Sequence, residues 1–203
     1  LPVNTTTTIQ EQKVNNFDIK DSNVTFNVTM SSPYLTNNPN EIMLVLSRFS
    51  REYYQLIVTA EDIFDEDNST PCPFVTMTSD RALSEHNVPA EIYERCSSLS
   101  YSGIEELKEI PAIICTEKKG SYYATVDKNH MAVYGYIRKI KKNRKLIKIY
   151  YKPLALVPLH CFCENPVDYD VNVGCALSDF NISAWSVHKI NLFEAFRDTG
   201  ILN

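Results

Sequence analysis

Glycine is scarce in this 203-residue chain, with five residues at 103, 120, 135, 174 and 200 and no two of them close together. Glycine-rich phosphate loops and dinucleotide folds need clustered glycines for tight turns and close backbone approach, so the sequence argues against both. No apolar run reaches the roughly eighteen residues of a membrane-spanning helix. There is no Gly-X-Ser-X-Gly elbow and no His-Glu-X-X-His helix, the local signatures of two common hydrolase designs. Carboxylates are missing between Asp127 and Glu164. Tryptophan occurs once, as Trp185. The start, Leu1-Pro2, has neither an initiator Met nor a signal-like run, and reads as a processed end whose signal peptide has been removed. A membrane anchor beyond Asn203 stays open.

The chain does carry a concentrated block of positive charge. Arg138, Lys139, Lys141, Lys142, Arg144, Lys145, Lys148 and Lys152 supply eight of the twenty basic residues, and removing them would take the formal net charge from −5 to −13. They lie within residues 131–161, which read as a long β-hairpin with a basic tip. In the second arm Ile147, Ile149 and Tyr151 alternate with Lys148, Tyr150 and Lys152, the period of a strand with one apolar face. Val133, Tyr134, Tyr136, Ile137 and Ile140 suit the first arm. Asn143 is the expected turn residue, because asparagine tolerates a left-handed backbone. Gly135 marks a bulge or a close backbone approach, and Pro153 is expected to end the second arm or turn it into an edge. Tyr122, Tyr123, Tyr134, Tyr136, Tyr150 and Tyr151 gather near the cations. Such a surface suits an acidic protein, a sulfated glycan or the phosphates of nucleic acid. The ordinary alternative is that the lysines only keep an exposed hairpin soluble and unpaired.

Compartment is read from two features. Five Asn-X-Ser/Thr sequons, at Asn4, Asn23, Asn27, Asn68 and Asn181, point to a secreted or cell-surface chain. Six cysteines, Cys72, Cys96, Cys115, Cys161, Cys163 and Cys175, form an even set and are expected to pair as disulfides. Cys161 and Cys163, placed on one strand, point the same way and are expected to reach different partners, with Cys72 or Cys96 preferred. His160 with Cys161, Cys163 and Cys175 has zinc-ligand chemistry, but the spacing matches no usual zinc pattern and disulfides are favoured. The acidic residues Asp62, Asp65, Glu66 and Asp67 lack the glycine and distal glutamate of a calcium loop. No metal and no cofactor are expected.

Taken in order, residues 1–16 form a flexible arm and 17–203 one extracellular β-rich domain. Strands are expected at 24–30, 42–46, 53–59, 74–78, 112–116, 122–126, the two hairpin arms, 171–177 and 182–190. A helix starts around Asn87-Val88-Pro89 and runs to about Cys96, with proline in its first turn. A second follows the capping-box pattern Ser102-Gly-Ile-Glu105 and stops before Pro111. A third spans 191–198, capped by Asn191. The expected fold is mainly β, a disulfide-bonded antiparallel β-sandwich-like domain with two or three short helical insertions. Trp185 reads as core, with an exposed binding anchor as the alternative.

The histidines, His86, His130, His160 and His188, are scattered. A cysteine nucleophile beside His160 conflicts with a paired cysteine set, and Glu105-Glu106 sits on a helix surface. The expectation is a non-catalytic glycoprotein domain that binds an extracellular protein, as a receptor ectodomain, a ligand-capturing decoy or a viral attachment or immune-evasion protein would. The first alternative is heparan sulfate or nucleic acid held by residues 138–152, although nucleic acid ranks behind protein and sulfated glycosaminoglycan as a partner. The second is a secreted hydrolase, since a triad assembled in space leaves no local signature.

Overall fold

The computed structural model describes residues 17–19, 22–24, 49–64, 71–72, 74–118, 130–173 and 178–201. Two short strands, β1 (Phe17–Ile19) and β2 (Ser22–Val24), pair antiparallel. The main body is a mixed α/β arrangement around a six-stranded sheet, ordered β4-β7-β6-β5-β3-β8. Its strands are β3 (Tyr54–Thr59), β4 (Phe74–Thr78), β5 (Pro111–Thr116), β6 (Met131–Lys142), β7 (Leu146–Pro158) and β8 (Ala184–His188). The helices are α1 (Ala90–Cys96), α2 (Tyr101–Lys108), α3 (Leu159–Glu164) and α4 (Leu192–Asp198). The expected sandwich is therefore corrected to one sheet with helices on both faces, and the sheet is not purely antiparallel, because β3 and β5 run parallel.

The reason lies in the apolar runs. All six residues of β3 are buried, as are the first five of β5. A strand wet on one side alternates, whereas a strand covered on both sides reads as a continuous apolar run. Tyr54, Leu56 and Val58 face one core with Ile113, Tyr134, Phe162 of α3 and Phe196 of α4. Ile57, Ile114, Val133 and Ile149 face the other, with Ile92 of α1, Leu107 of α2 and Trp185.

A polar side chain anchors the second core. Gln55 is fully buried and donates from Nε2 to the carbonyls of Leu107 (2.9 Å) and Ile110 (2.8 Å), while its Oε1 accepts from the Trp185 indole (3.1 Å). The last carbonyls of a helix have no partner within it. Gln55 supplies one for the end of α2 and so pins the helix, β3 and the edge strand β8 together. Trp185 is core, as expected.

The helix ends refine the sequence reading. Pro89 sits at the cap position of α1 rather than inside its first turn. The α2 cap is Ser100, whose hydroxyl accepts from the Gly103 N–H (3.2 Å), so the helix begins ahead of the Ser102–Glu105 pattern. Asn191 caps α4 as expected, accepting from the Phe193 N–H (3.2 Å). The stretch 159–164 is helical, which corrects its placement on a strand. Residues 171–173 belong to no strand, and 182–190 narrows to β8. The expected arm 1–16, the strands at 24–30, 42–46 and 122–126, and the acidic residues 65–67 lie outside the described residues, apart from Val24, which ends β2.

Two substitutions test this frame. Gln55→Leu keeps the bulk but removes the side-chain partner of the Ile110 carbonyl and of the Trp185 indole N–H, while the Leu107 carbonyl keeps the Ile110 N–H (3.3 Å). Each buried group left unpaired costs about 1–3 kcal/mol, so urea unfolding is expected to show a loss of about 2 kcal/mol or more. A loss within the error of the measurement rejects the bridging role. Gly135→Ala brings a methyl group onto the Lys152 carbonyl oxygen, a backbone atom that cannot step aside alone, and a cost of about 1–3 kcal/mol is expected in the same assay.

Candidate functional site: the basic hairpin

β6 and β7 form the hairpin expected from the sequence, and two bulges shape it. At the first, Tyr134 pairs with Ala155 and Gly135 with Pro153, leaving Leu154 as the extra residue. A proline without an N–H and a glycine without a Cβ meet where the ladder is already interrupted. This is why Pro153 does not end the strand: β7 continues to Pro158. At the second, Ile137 pairs with Tyr151 and Lys139 with Tyr150, so Arg138 is the extra residue and is exposed.

The tip is closed by Asn143, as predicted, but by its side chain rather than by a left-handed backbone. Its Oδ1 accepts from the N–H groups of Lys145 (3.0 Å) and Leu146 (2.8 Å), and its own N–H donates to the Leu146 carbonyl (2.9 Å). This local turn holds Arg144 and Lys145 out in water.

Alternation then sorts the predicted binding residues. Ile137, Ile140, Ile147, Ile149 and Tyr151 point into the second core. Lys139, Lys141, Lys148, Tyr150 and Lys152 point to the opposite face, joined by Phe74 and Thr76 of β4 through the register Phe74↔Tyr150 and Thr76↔Lys148. No described helix packs over this end of that face, and its side chains are exposed or half-buried. Lys141 and Lys148 are direct cross-strand partners. Like charges directly opposite each other disfavour pairing. The aromatic rings take up part of that cost: the Lys148 ammonium lies 3.2 Å from the Phe74 ring centre, and Lys141 and Lys148 lie 5.6 Å and 5.5 Å from that of Tyr150. Lys142 leans the other way, donating to the Ser98 carbonyl (3.3 Å). Among the described residues, no ion pair includes any cation of this hairpin.

The tyrosines divide. Tyr150 belongs to the open face, and Tyr136 is half-buried with its ring 5.4 Å from Phe49. Tyr134 is buried and packs edge-on against Phe196 at 5.6 Å, which corrects its assignment as a binding residue. Tyr122 and Tyr123 lie outside the described residues. Phe74 and Thr76 were missed; only the β4–β7 register, which sequence alone does not give, brings them beside the lysines.

The cysteines are not joined by disulfides in the described residues. Cys96 belongs to the second core and Cys115 to the first, with Cys161 and Cys163 packed against the first, so the sheet separates Cys96 from its preferred partners. Cys161 and Cys163 stand two apart on a helix and face different ways. Burial pushes the Cys96 thiol up to about 12 and the Cys163 thiol to about 11, and it raises Cys115 further. These groups remain protonated, hydrophobic thiols at neutral pH. Cys175 lies outside the described residues, as do the sequons at Asn4, Asn27 and Asn68, while Asn23 lies in β2. Asn181 is half-buried, and its side-chain oxygen is shielded from water, while Ser183 of the same sequon donates to Glu117 (2.6 Å).

No protein-family model, curated protein or solved structure matches this chain. The residues themselves are the ground for a functional reading.

A thiol-reagent titration tests the cysteine arrangement. Without reductant, Cys96, Cys115, Cys161 and Cys163 are expected to titrate as thiols in guanidinium, whereas Cys96 and Cys115 stay silent in the native chain. Loss of two or more of these four in denaturant would establish a disulfide.

Proposed function

We propose that this chain is a binding domain that captures an anionic polymer on the β6–β7 hairpin and the open face of β4–β7–β6. One observation carries the reading: Lys141 and Lys148 are held directly opposite each other on a face that no described helix covers, with no described carboxylate paired to either. A hairpin that needed only solubility would gain stability from an acid at one of these positions, as cross-strand opposite charges attract. An arrangement that opposes its own fold serves something outside the fold.

Geometry supports a polymer more than a compact ligand. The cations run from Lys152 and Lys139 along the face to Arg144 and Lys145 at the tip, a track rather than a pocket. Polyanions bind such tracks by releasing condensed counterions, which makes binding steeply salt-dependent. Tyr150 and Phe74, half-buried between the lysines, offer ring faces against which sugar or base rings pack. A sulfated glycosaminoglycan is the anionic polymer that fits the secreted or cell-surface setting argued from the sequons. That setting now rests on the sequons alone. An extracellular protein partner, the leading expectation from sequence, is the other outcome of the test.

Heparin-column elution compares the native chain with the variant Lys141→Glu, Lys142→Glu, Arg144→Glu and Lys145→Glu. Retention beyond physiological salt by the native chain and flow-through of the variant are expected. A control, Arg51→Glu and Arg197→Glu, alters exposed cations outside the hairpin and β4 and is expected to stay bound. Flow-through of the native chain, or equal loss in the control, overturns the polymer reading and leaves the protein partner.

A further inference from the structure

The structure's large cleft, of about 930 Å³, lies along β8 at one edge of the sheet and is lined by none of the hairpin lysines. One wall is β8 with Ser186 and His188, a second is the segment 166–173, and a third is His86 to Pro89, ahead of α1. Three polar side chains line up along it. Ser186 and His188 are two apart on β8 and share a face of the strand. The Ser186 Oγ lies 2.8 Å from the His188 Nε2, and the Asp170 Oδ2 lies 3.6 Å from the His188 Nδ1. In the tautomer that turns Nδ1–H to the carboxylate, Nε2 is the acceptor for the serine proton, at a shorter distance than the Leu56 carbonyl (3.4 Å).

The imidazole is held on several sides. The Tyr54 ring, its cross-strand partner, stacks on it at 4.9 Å with an interplanar angle of 19°. The Tyr54 hydroxyl donates to the Tyr169 carbonyl (2.6 Å), which ties the segment carrying Asp170 to the strand that orients His188. Asp170 itself sits at a φ of 51°, in the left-handed region. Such conformations cost energy and gather where a side chain must be aimed. The neighbouring histidine holds its carboxyl below the usual carboxylate range, so it stays anionic at neutral pH. Of the three, Ser186 and His188 are buried against the sheet and yet line the cleft, and Asp170 is exposed at the mouth.

We propose that this cleft is a hydrolytic site for carboxylic esters, with Ser186 as nucleophile, His188 as general base and Asp170 and Tyr54 as positioning residues. The roles follow from geometry, and unrelated folds reach the same constellation in different chain orders. The Ser186 Oγ bonds to the ester carbonyl carbon as its proton passes to the His188 Nε2. The carbon–oxygen bond to the alcohol breaks, and the alcohol leaves with that proton. Water then attacks the acyl carbon, giving a proton to His188; the acid departs and Ser186 regains its proton. Val88, Val171 and the exposed Val167 line the cleft and suit an apolar acyl group, while His86 and Asn87 on the facing wall carry N–H donors for the negative charge that develops on the carbonyl oxygen. This activity would reverse the expectation of a non-catalytic chain, and it does not depend on the hairpin.

The test uses the full chain, a fluorophosphonate probe and p-nitrophenyl butyrate. One adduct per chain is expected, mapped by peptide mass spectrometry to Ser186. His188→Gln is expected to slow labelling and ester hydrolysis by ~100-fold or more, the scale of a lost general base. Asp170→Asn is expected to lower kcat by a similar factor while leaving KM for the ester within about twofold, a split that a merely structural role would not produce. Absence of an adduct on Ser186 in the folded native chain overturns the proposal, and so does hydrolysis that survives Ser186→Ala. The native-chain adduct needs no variant to fold, so the result stands even if Ser186→Ala does not.

Discussion

A single buried amide holds the two ends of this fold together. Gln55 stands in β3, inside a largely apolar core, and divides its hydrogen bonds between the end of α2 and the indole of Trp185 on the edge strand. Apolar burial alone is non-directional and would let α2 slide along the sheet. Three directional bonds in a dry environment fix where the helix ends and which way the tryptophan ring lies. The antiparallel ladder between β3 and β8 sets the register that brings His188 beside Tyr54 and Ser186 beside Leu56, and the tryptophan ring secures the other face of β8.

The hairpin shows the same logic run in reverse. There the interactions are partly unfavourable: lysine opposite lysine, and a cluster of cations around a tight turn with no described acid paired to them. The fold tolerates this because the other face of the same strands is anchored by Ile137, Ile140, Ile147 and Ile149 in the second core. Stability on one side of the sheet permits charge on the other.

Much of this was legible in the residues, and the errors have physical causes. The hairpin, its turn residue and the exceptional position of Gly135 followed from alternation and from what asparagine and glycine can do. The α4 cap followed from Asn191. The fold class did not: Ala112-Ile-Ile-Cys115 reads as a strand but does not alternate, and Leu154-Ala-Leu-Val157, beyond the proline expected to end the second arm, is equally continuous. Their continuity was the signal for helices on both faces, and the helices at 90–96 and 101–108, lying between parallel strands, agreed with it. Cys161 and Cys163 were misplaced because a short apolar segment does not distinguish strand from helix by period. The Asp170–Ser186–His188 arrangement leaves no pattern in the chain, since the aspartate comes from an irregular segment and its approach to His188 depends on Tyr54.

The order of strands in the sheet also dictates the order in which it can be assembled. β3 is made first among the six, yet its neighbours are β5 and β8, and β4, next off the chain, belongs at the far edge beside β7. β4 therefore has no ladder partner until β7 exists, although the Thr59 hydroxyl on the Thr76 carbonyl and the Phe64–Pro71 bridge tie it to the chain just before it. Contacts between segments so distant in sequence slow folding, because the intervening chain must be ordered before they form. The β6–β7 hairpin, local and able to close on its own turn, is the piece on which β4 and β5 can both dock, so it serves as the folding template of the molecule as well as its most highly charged surface.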